Sequence, residues 1–273
     1  MLTPIEQVQP EIFVKREDLA FHLPSPPFAK MRGLFPQLQH LKNTGIQVVG
    51  YKDTTTSMAG WGVAFAAKQI GLKAVIFQPT YKDNKLRHNQ KFQIKKWKEN
   101  EATIVPIQSF RSIINWYQAK RILHERYENA YMLEQGLPFD YTLSAVKQQV
   151  VPEMRKFKSL VVCIGTGVMT AGILQGLQEQ EISLSIYGIL VAGKNIRRMN
   201  QKIYKRAGVY KNGLFATNTS KLILFAAKQE YPDKEDMACP FPCNPYYDRK
   251  AWKWLMDNYV DLQKPILFWN IGA

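Results

Sequence analysis

Acidic residues are scarce in this chain. Only 22 Asp and Glu stand against 37 Lys and Arg in 273 residues, a formal net charge of +15. That imbalance predicts attraction to a polyanion, with nucleic acid the first candidate. Basic residues gather at Lys82 to Arg87, Lys91 to Lys98, Arg111 to Arg126 and Arg197 to Arg206. Each cluster alone reads as a solvated helix face; their sum does not. Long apolar runs are also missing. No stretch of about 18 apolar residues occurs, so no helical membrane span is expected. The opening M-L-T-P-I-E-Q-V-Q-P lacks a basic start followed by an apolar stretch, so no secretory signal is expected and a cytoplasmic location is. Cysteine is limited to Cys163, Cys239 and Cys243, which suits a reducing compartment. The pair in C-P-F-P-C reads as two ordinary thiols, because two ligands do not make a zinc site and the four histidines show no partner spacing. What the chain does have is 46% hydrophobic and 12% aromatic residues, enough for a real core rather than disorder.

Short apolar runs alternate with helical periods. Strands are expected at 12–14, 46–51, 73–78, 102–106, 159–164, 182–190 and 265–269. The run S-L-V-V-C-I at 159–164 is apolar throughout, as at the centre of a parallel sheet. Helices are expected over 30–42, 58–70, 84–100, 109–127, 142–157 despite Pro152, from a glycine-rich turn to 177, and over 195–207, 220–229 and 248–259. In the 109–127 helix, Ile113, Ile114, Tyr117, Ile122 and Leu123 are expected to face inward. The alternation predicts an α/β fold with a mainly parallel sheet. A smaller α/β lobe over 45–130 is expected to be inserted into a larger one built from 1–44 and 131–273.

Two strand-to-helix loops carry the chemical signal. In I-G-T-G-V-M-T-A-G, residues 164–172, glycines let the backbone approach an anion and a helix N-terminus supplies free N–H groups. This reads as a phosphate cradle, although a tight turn would use Gly165 and Gly167 equally. It is neither G-x-G-x-x-G nor a P-loop. In T-T-T-S-M-A-G-W-G, residues 54–62, four hydroxyls gather at another helix start. Ser57 is either an N-cap or part of a carboxylate site. A third feature is Lys30 in P-P-F-A-K-M-R-G, residues 26–33. It stands at a helix mouth, where the macrodipole disfavours a cation. Lys30 is therefore either solvated or held there for chemistry that needs an amine with a lowered pKa.

Taken in order, these parts resemble the fold-type II pyridoxal-phosphate enzymes, the tryptophan synthase β-like group that includes cysteine synthases and aminocyclopropane-carboxylate deaminases. F-V-K-R-E-D-L (13–19) is similar to the opening strand of the deaminase and D-cysteine desulfhydrase branch. P-Y-Y-D-R-K-A (245–251) and I-L-F-W-N-I-G-A (266–273) resemble the closing segments. The resemblance spans nearly the whole chain. It implies pyridoxal 5'-phosphate as cofactor and Lys30 as the amine joined to its aldehyde. Gly165, Thr166, Gly167, Val168, Met169 and Thr170 would hold the phosphate. Asp248 would face the ring nitrogen, and Tyr247 would serve as acid or base. Thr55, Thr56, Ser57, Met58, Ala59, Gly60 and Trp61 would form the substrate loop, with Ser57 on the carboxylate or nearer the reacting carbon. A homodimer is the assembly the group implies. The chain departs from the group at Ala29 and Met58, where asparagines are usual, and at Val168 and Met169. Trp61 implies a reshaped pocket.

Two substrates follow from this. Some phage-type members of the group belong to pathways that decorate thymine in DNA with amino-acid groups. A decarboxylation or elimination at such an adduct would make the substrate a polyanion and account for the charge. Trp97, Trp116, Trp252 and Trp254 could then stack on a flipped base, or be core. The alternative is a deaminase or desulfhydrase of a small free amino acid. A third reading, from another class, is a nucleic-acid-binding protein that kept the fold and lost catalysis.

Overall fold

The computed structural model describes residues 1–273 other than 55, 84, 87, 88, 110, 111, 193, 194, 209, 212, 213 and 216–219. Arg87 and Arg111 of the basic clusters, and Thr55 of the substrate loop, lie outside the described residues. In chain order the strands are β1 (Ile5–Gln9), β2 (Ile12–Arg16), β3 (Val48–Lys52), β4 (Lys73–Thr80), β5 (Thr103–Gln108), β6 (Ala130–Met132), β7 (Ser159–Ile164), β8 (Ser185–Leu190), β9 (Tyr210–Lys211), β10 (Leu214–Phe215), β11 (Lys221–Ala226) and β12 (Ile266–Asn270). The helices are α1 (Met31–Asn43), α2 (Ala59–Ile70), α3 (Gln90–Glu99), α4 (Ser112–Arg126), α5 (Asp140–Lys147), α6 (Val168–Glu179), α7 (Ile196–Arg206) and α8 (Asp248–Asp257). The chain forms two compact units. Unit 1 is Met1–Leu23, Pro27–Ala29 and Thr142–Ala273; unit 2 is Pro24–Pro26 and Lys30–Tyr141.

Unit 1 is built on a six-stranded sheet of order β1-β2-β12-β7-β8-β11. Only the β1–β2 pair is antiparallel. Every residue of β7 and β12 is buried, as expected for central parallel strands covered on both faces. Alternate residues serve the two faces. Leu160, Val162 and Ile164 pack with α6 in one core cluster, and Val161 and Cys163 pack with Trp252 and Leu255 of α8 in another. Unit 2 carries a four-stranded parallel sheet of order β5-β4-β3-β6. The α/β class and the parallel sheets are therefore as the alternation required.

Several expectations need correction. Residues 220–229 were expected to be helical, but Lys221–Ala226 forms a strand paired in parallel with β8. The run K-L-I-L-F-A is too short for periodicity to separate the two states, and Leu222 and Leu224 enter the core as alternate strand residues. The helix expected over 142–157 breaks after Lys147, and a separate 3-10 turn begins at Pro152, which lacks the N–H a continuing helix needs. Strands β1, β6, β9 and β10 were not anticipated. In α4, Ile113, Ile114 and Tyr117 are exposed rather than inward. The phase is set by Ala119 and Leu123, both fully buried, and by Asn115, whose side-chain N–H donates to the Gln108 carbonyl at 2.6 Å. Trp97 and Trp252 are core, 0% and 1% exposed. Trp254 packs on Tyr187 and Phe225, and Trp116 donates its N–H to the Leu133 carbonyl.

Candidate active site

The glycine loop of unit 1 leaves the centre of the sheet at Ile164 and enters α6 at Val168. Gly167 is the N-cap, with φ +80° and no side-chain cap. A Cβ there would lie 2.6 Å from Ile203 Cγ1, so both backbone sign and space require glycine. The first-turn N–H groups of Val168, Met169 and Thr170 have no intrahelical acceptor by geometry. Beside them, the Thr166 and Thr170 hydroxyls are buried and have no hydrogen-bond partner among the described residues. Buried hydroxyls are normally satisfied. Two orphaned ones at an uncapped helix start fit the oxygens of a phosphate. Arg206 pins the loop from α7, donating to the Thr166 carbonyl at 2.7 Å.

Tyr247 and Asp248 belong to the same unit. The Tyr247 ring stands over Gly165, its Cε1 3.6 Å from where a Cβ would be. Its hydroxyl is 2.5 Å from that of Tyr231, and the two rings meet edge to face. Asp248 opens α8 and is 2% exposed. Its Oδ1 accepts the Ile271 N–H at 3.0 Å. Burial pushes its carboxyl up to about 7, with the Asp18 charge adding to the effect and main-chain N–H groups opposing it. A carboxyl poised there can hold or release a proton near neutral pH. The Ile271 carbonyl accepts the Ala29 N–H at 3.0 Å, and the chain enters unit 2 at the next residue.

In unit 2, Lys30 is the N-cap of α1. Its Nζ donates to the Gly136 carbonyl at 3.0 Å. Gly136, with φ +87°, donates its own N–H to the hydroxyl of buried Tyr51. The amine is thus held by a specific acceptor and is not simply solvated at the helix mouth.

The hydroxyl loop of the same unit connects β3 to α2. The Ser57 hydroxyl accepts the Ala59 N–H at 3.0 Å, which leaves its own hydrogen to donate. Thr56 is fully buried, with its hydroxyl unpartnered among the described residues. Met58 is the N-cap of α2, and Ala59 and Gly60 form its first turn. Trp61 is 3% exposed, its ring against Phe92 and under Lys96 Nζ.

Residue-type reasoning missed Asp53. Its carboxylate accepts the N–H groups of Thr54 at 2.7 Å and Gly60 at 3.0 Å, and a Cβ on Gly60 would collide with it. Burial raises its carboxyl to about 7. The signal was present: an acid leading a hydroxyl run ahead of a helix is a capping pattern. Tyr231 and Arg206 left no comparable trace, because they reach the glycine loop and Tyr247 only through the fold.

The chain is similar to known proteins along its whole length. It is 33% identical over 283 residues to a "Glycyl-dTMP PLP-dependent decarboxylase" of Pseudomonas phage M6, covering 99% of this chain and 98% of that protein. The fold matches that of an ACC deaminase homologue with a TM-score of 0.76 at 21% identity, over 100% of this chain and 89% of the other. It also matches a hydrogen sulfide-producing enzyme of Fusobacterium nucleatum with a TM-score of 0.67 at 13% identity, over 99% and 95%. Residues 2–217 match the family described as "Pyridoxal-phosphate dependent enzyme", and the chain belongs to that family.

Proposed function

We propose that this protein is a decarboxylase acting on an amino-acid group carried by thymine in DNA, with pyridoxal phosphate as its cofactor. The observation that carries the reading is the full-length relationship to the phage glycyl-dTMP decarboxylase. The +15 charge supports a DNA-borne substrate over a free amino acid.

When bound, the cofactor supplies an electron sink for the pair left behind as a bond at the substrate's α-carbon breaks. In this reading the rest belongs to the chain. Lys30 would hold the cofactor through its side-chain amine. The first-turn N–H groups of α6, with Thr166 and Thr170, bind the phosphate. Asp248 holds a proton at its carboxyl, toward the ring nitrogen. Thr56 and Ser57, each with a hydroxyl hydrogen to donate, would receive the substrate carboxylate at the start of α2. The C–COO bond breaks, carbon dioxide leaves, and a proton replaces it at the same carbon. Tyr247, paired with Tyr231, is the donor assigned to that proton. A homodimer in the host cytoplasm completes the reading. The apolar side chains that α4 exposes at Ile113, Ile114 and Tyr117 support self-association, and sedimentation velocity measures it.

The test is to supply the cofactor-loaded protein with a glycyl-thymine nucleotide and assay the gas and amine released. Carbon dioxide is expected. Lys30→Ala should abolish it and remove the visible absorbance of the bound cofactor. Ammonia in place of carbon dioxide would make the protein a deaminase. Neither product, with cofactor bound, would make it a binding protein.

A further inference from the structure

Helix α7 differs from the other charged helices. In α3, α4 and α8 the cations meet an acid about one turn on: Lys96 with Glu99 at 2.9 Å, Arg121 with Glu125 at 2.9 Å, Lys253 with Asp257 at 2.9 Å. In α7, I-R-R-M-N-Q-K-I-Y-K-R, no acid occurs. None occurs anywhere between Glu181 and Glu230. Arg198 and Lys202, and Lys202 and Arg206, are like charges four residues apart, an arrangement that works against a helix. Arg197 and Arg198 also occupy the first turn, where the macrodipole repels cations. The helix is nevertheless well formed, its Asn195 cap accepting the Arg198 N–H at 2.9 Å. Its apolar side packs on the glycine loop through Met199 and Ile203, while Arg197, Arg198 and Lys205 face solvent. A self-repelling helix fastened to a phosphate-binding turn is what a groove for further phosphates would require.

We infer that the exposed face of α7 binds the sugar-phosphate backbone of the DNA that carries the reacting base. This rests on the DNA-linked reading above and adds the surface that makes it work. Neutralising several phosphates gives affinity that falls steeply with salt and is indifferent to sequence. Arg197, Arg198 and Lys205 carry that contact. Arg206, which holds the Thr166 carbonyl, stays with the loop.

The experiment uses the cofactor-loaded protein and a labelled, unmodified DNA duplex, titrated at several salt concentrations. It compares the wild type, an Arg197→Gln/Arg198→Gln/Lys205→Gln variant, and a control of equal charge loss in α3, Lys91→Gln/Lys95→Gln/Lys98→Gln. The α7 variant should have a log K against log salt slope shallower by about two to three. The control should stay within about one of wild type, and all three should release carbon dioxide equally from isolated glycyl-dTMP. Equal slopes for wild type and α7 variant, or equal losses in both variants, overturn the assignment of α7 while leaving the decarboxylase reading intact. A wild type that binds no duplex at low salt overturns the assignment as well. Failure of all three proteins to release carbon dioxide from any glycyl-thymine substrate sinks the decarboxylase reading, whatever the slopes.

Discussion

Gly167 has two constraints on it, a positive φ and Ile203 against its α-carbon. Gly167→Ala should therefore cost about 1–3 kcal/mol of stability. It should also weaken cofactor affinity by more than the stability loss explains, because the first-turn N–H groups shift with the cap. Denaturant unfolding and a cofactor titration measure the two effects separately. Asp248 makes a second prediction at this scale. Its carboxyl lies near 7 because burial disfavours the charge, so it binds its proton more tightly folded than unfolded. Between about pH 4 and 7 the folded state accordingly loses stability as protons leave, by a few kcal/mol at most. Melting temperatures of the cofactor-free protein should fall across that window. Asp248→Asn should flatten the fall, since Asn can still accept the Ile271 N–H. Asp53, raised by the same cause, keeps a residual slope in the variant.

Among the elements, α6 depends on having no side chain on one stripe. A Cβ on Gly172 would meet Val146 at 2.7 Å, and one on Gly176 would meet Val150 at 2.5 Å and the Lys147 carbonyl at 2.8 Å. Gly176→Leu should force α6 off α5 and cost more than about 2 kcal/mol. Because α6 begins at the turn proposed to hold the phosphate, cofactor affinity should fall with it. Most of the parallel strands were legible because their apolar runs are bounded, whereas β6, three residues long, was too short to show. The strand at 221–226 was not legible either, since a lysine and five apolar residues fit a helix equally well. The phase of α4 was illegible for another reason: a buried Asn115 outranks exposed isoleucines only once the Gln108 carbonyl is in place. At the candidate site, Lys30 and the two loops were singled out by residue type and position. Asp53 needed the turn that folds Gly60 back onto it, and Tyr231 needed the fold to bring it to Tyr247, sixteen positions on.

For the whole molecule, strand order matters more than strand content. Strand β12 lies between β2 and β7, yet it is synthesised after every other strand. Val14 and Val161, 147 positions apart, both wait for Phe268. On the ribosome, unit 1 cannot close its sheet while Ile266–Asn270 is still in the exit tunnel, whereas unit 2 is complete at Tyr141. A nascent chain stalled just short of Ile266 should yield a protease-resistant fragment from unit 2 and none from unit 1. The centre of the sheet that bears the proposed phosphate turn is thus completed only when β12 arrives, and the capacity to hold cofactor comes in a single step with that strand.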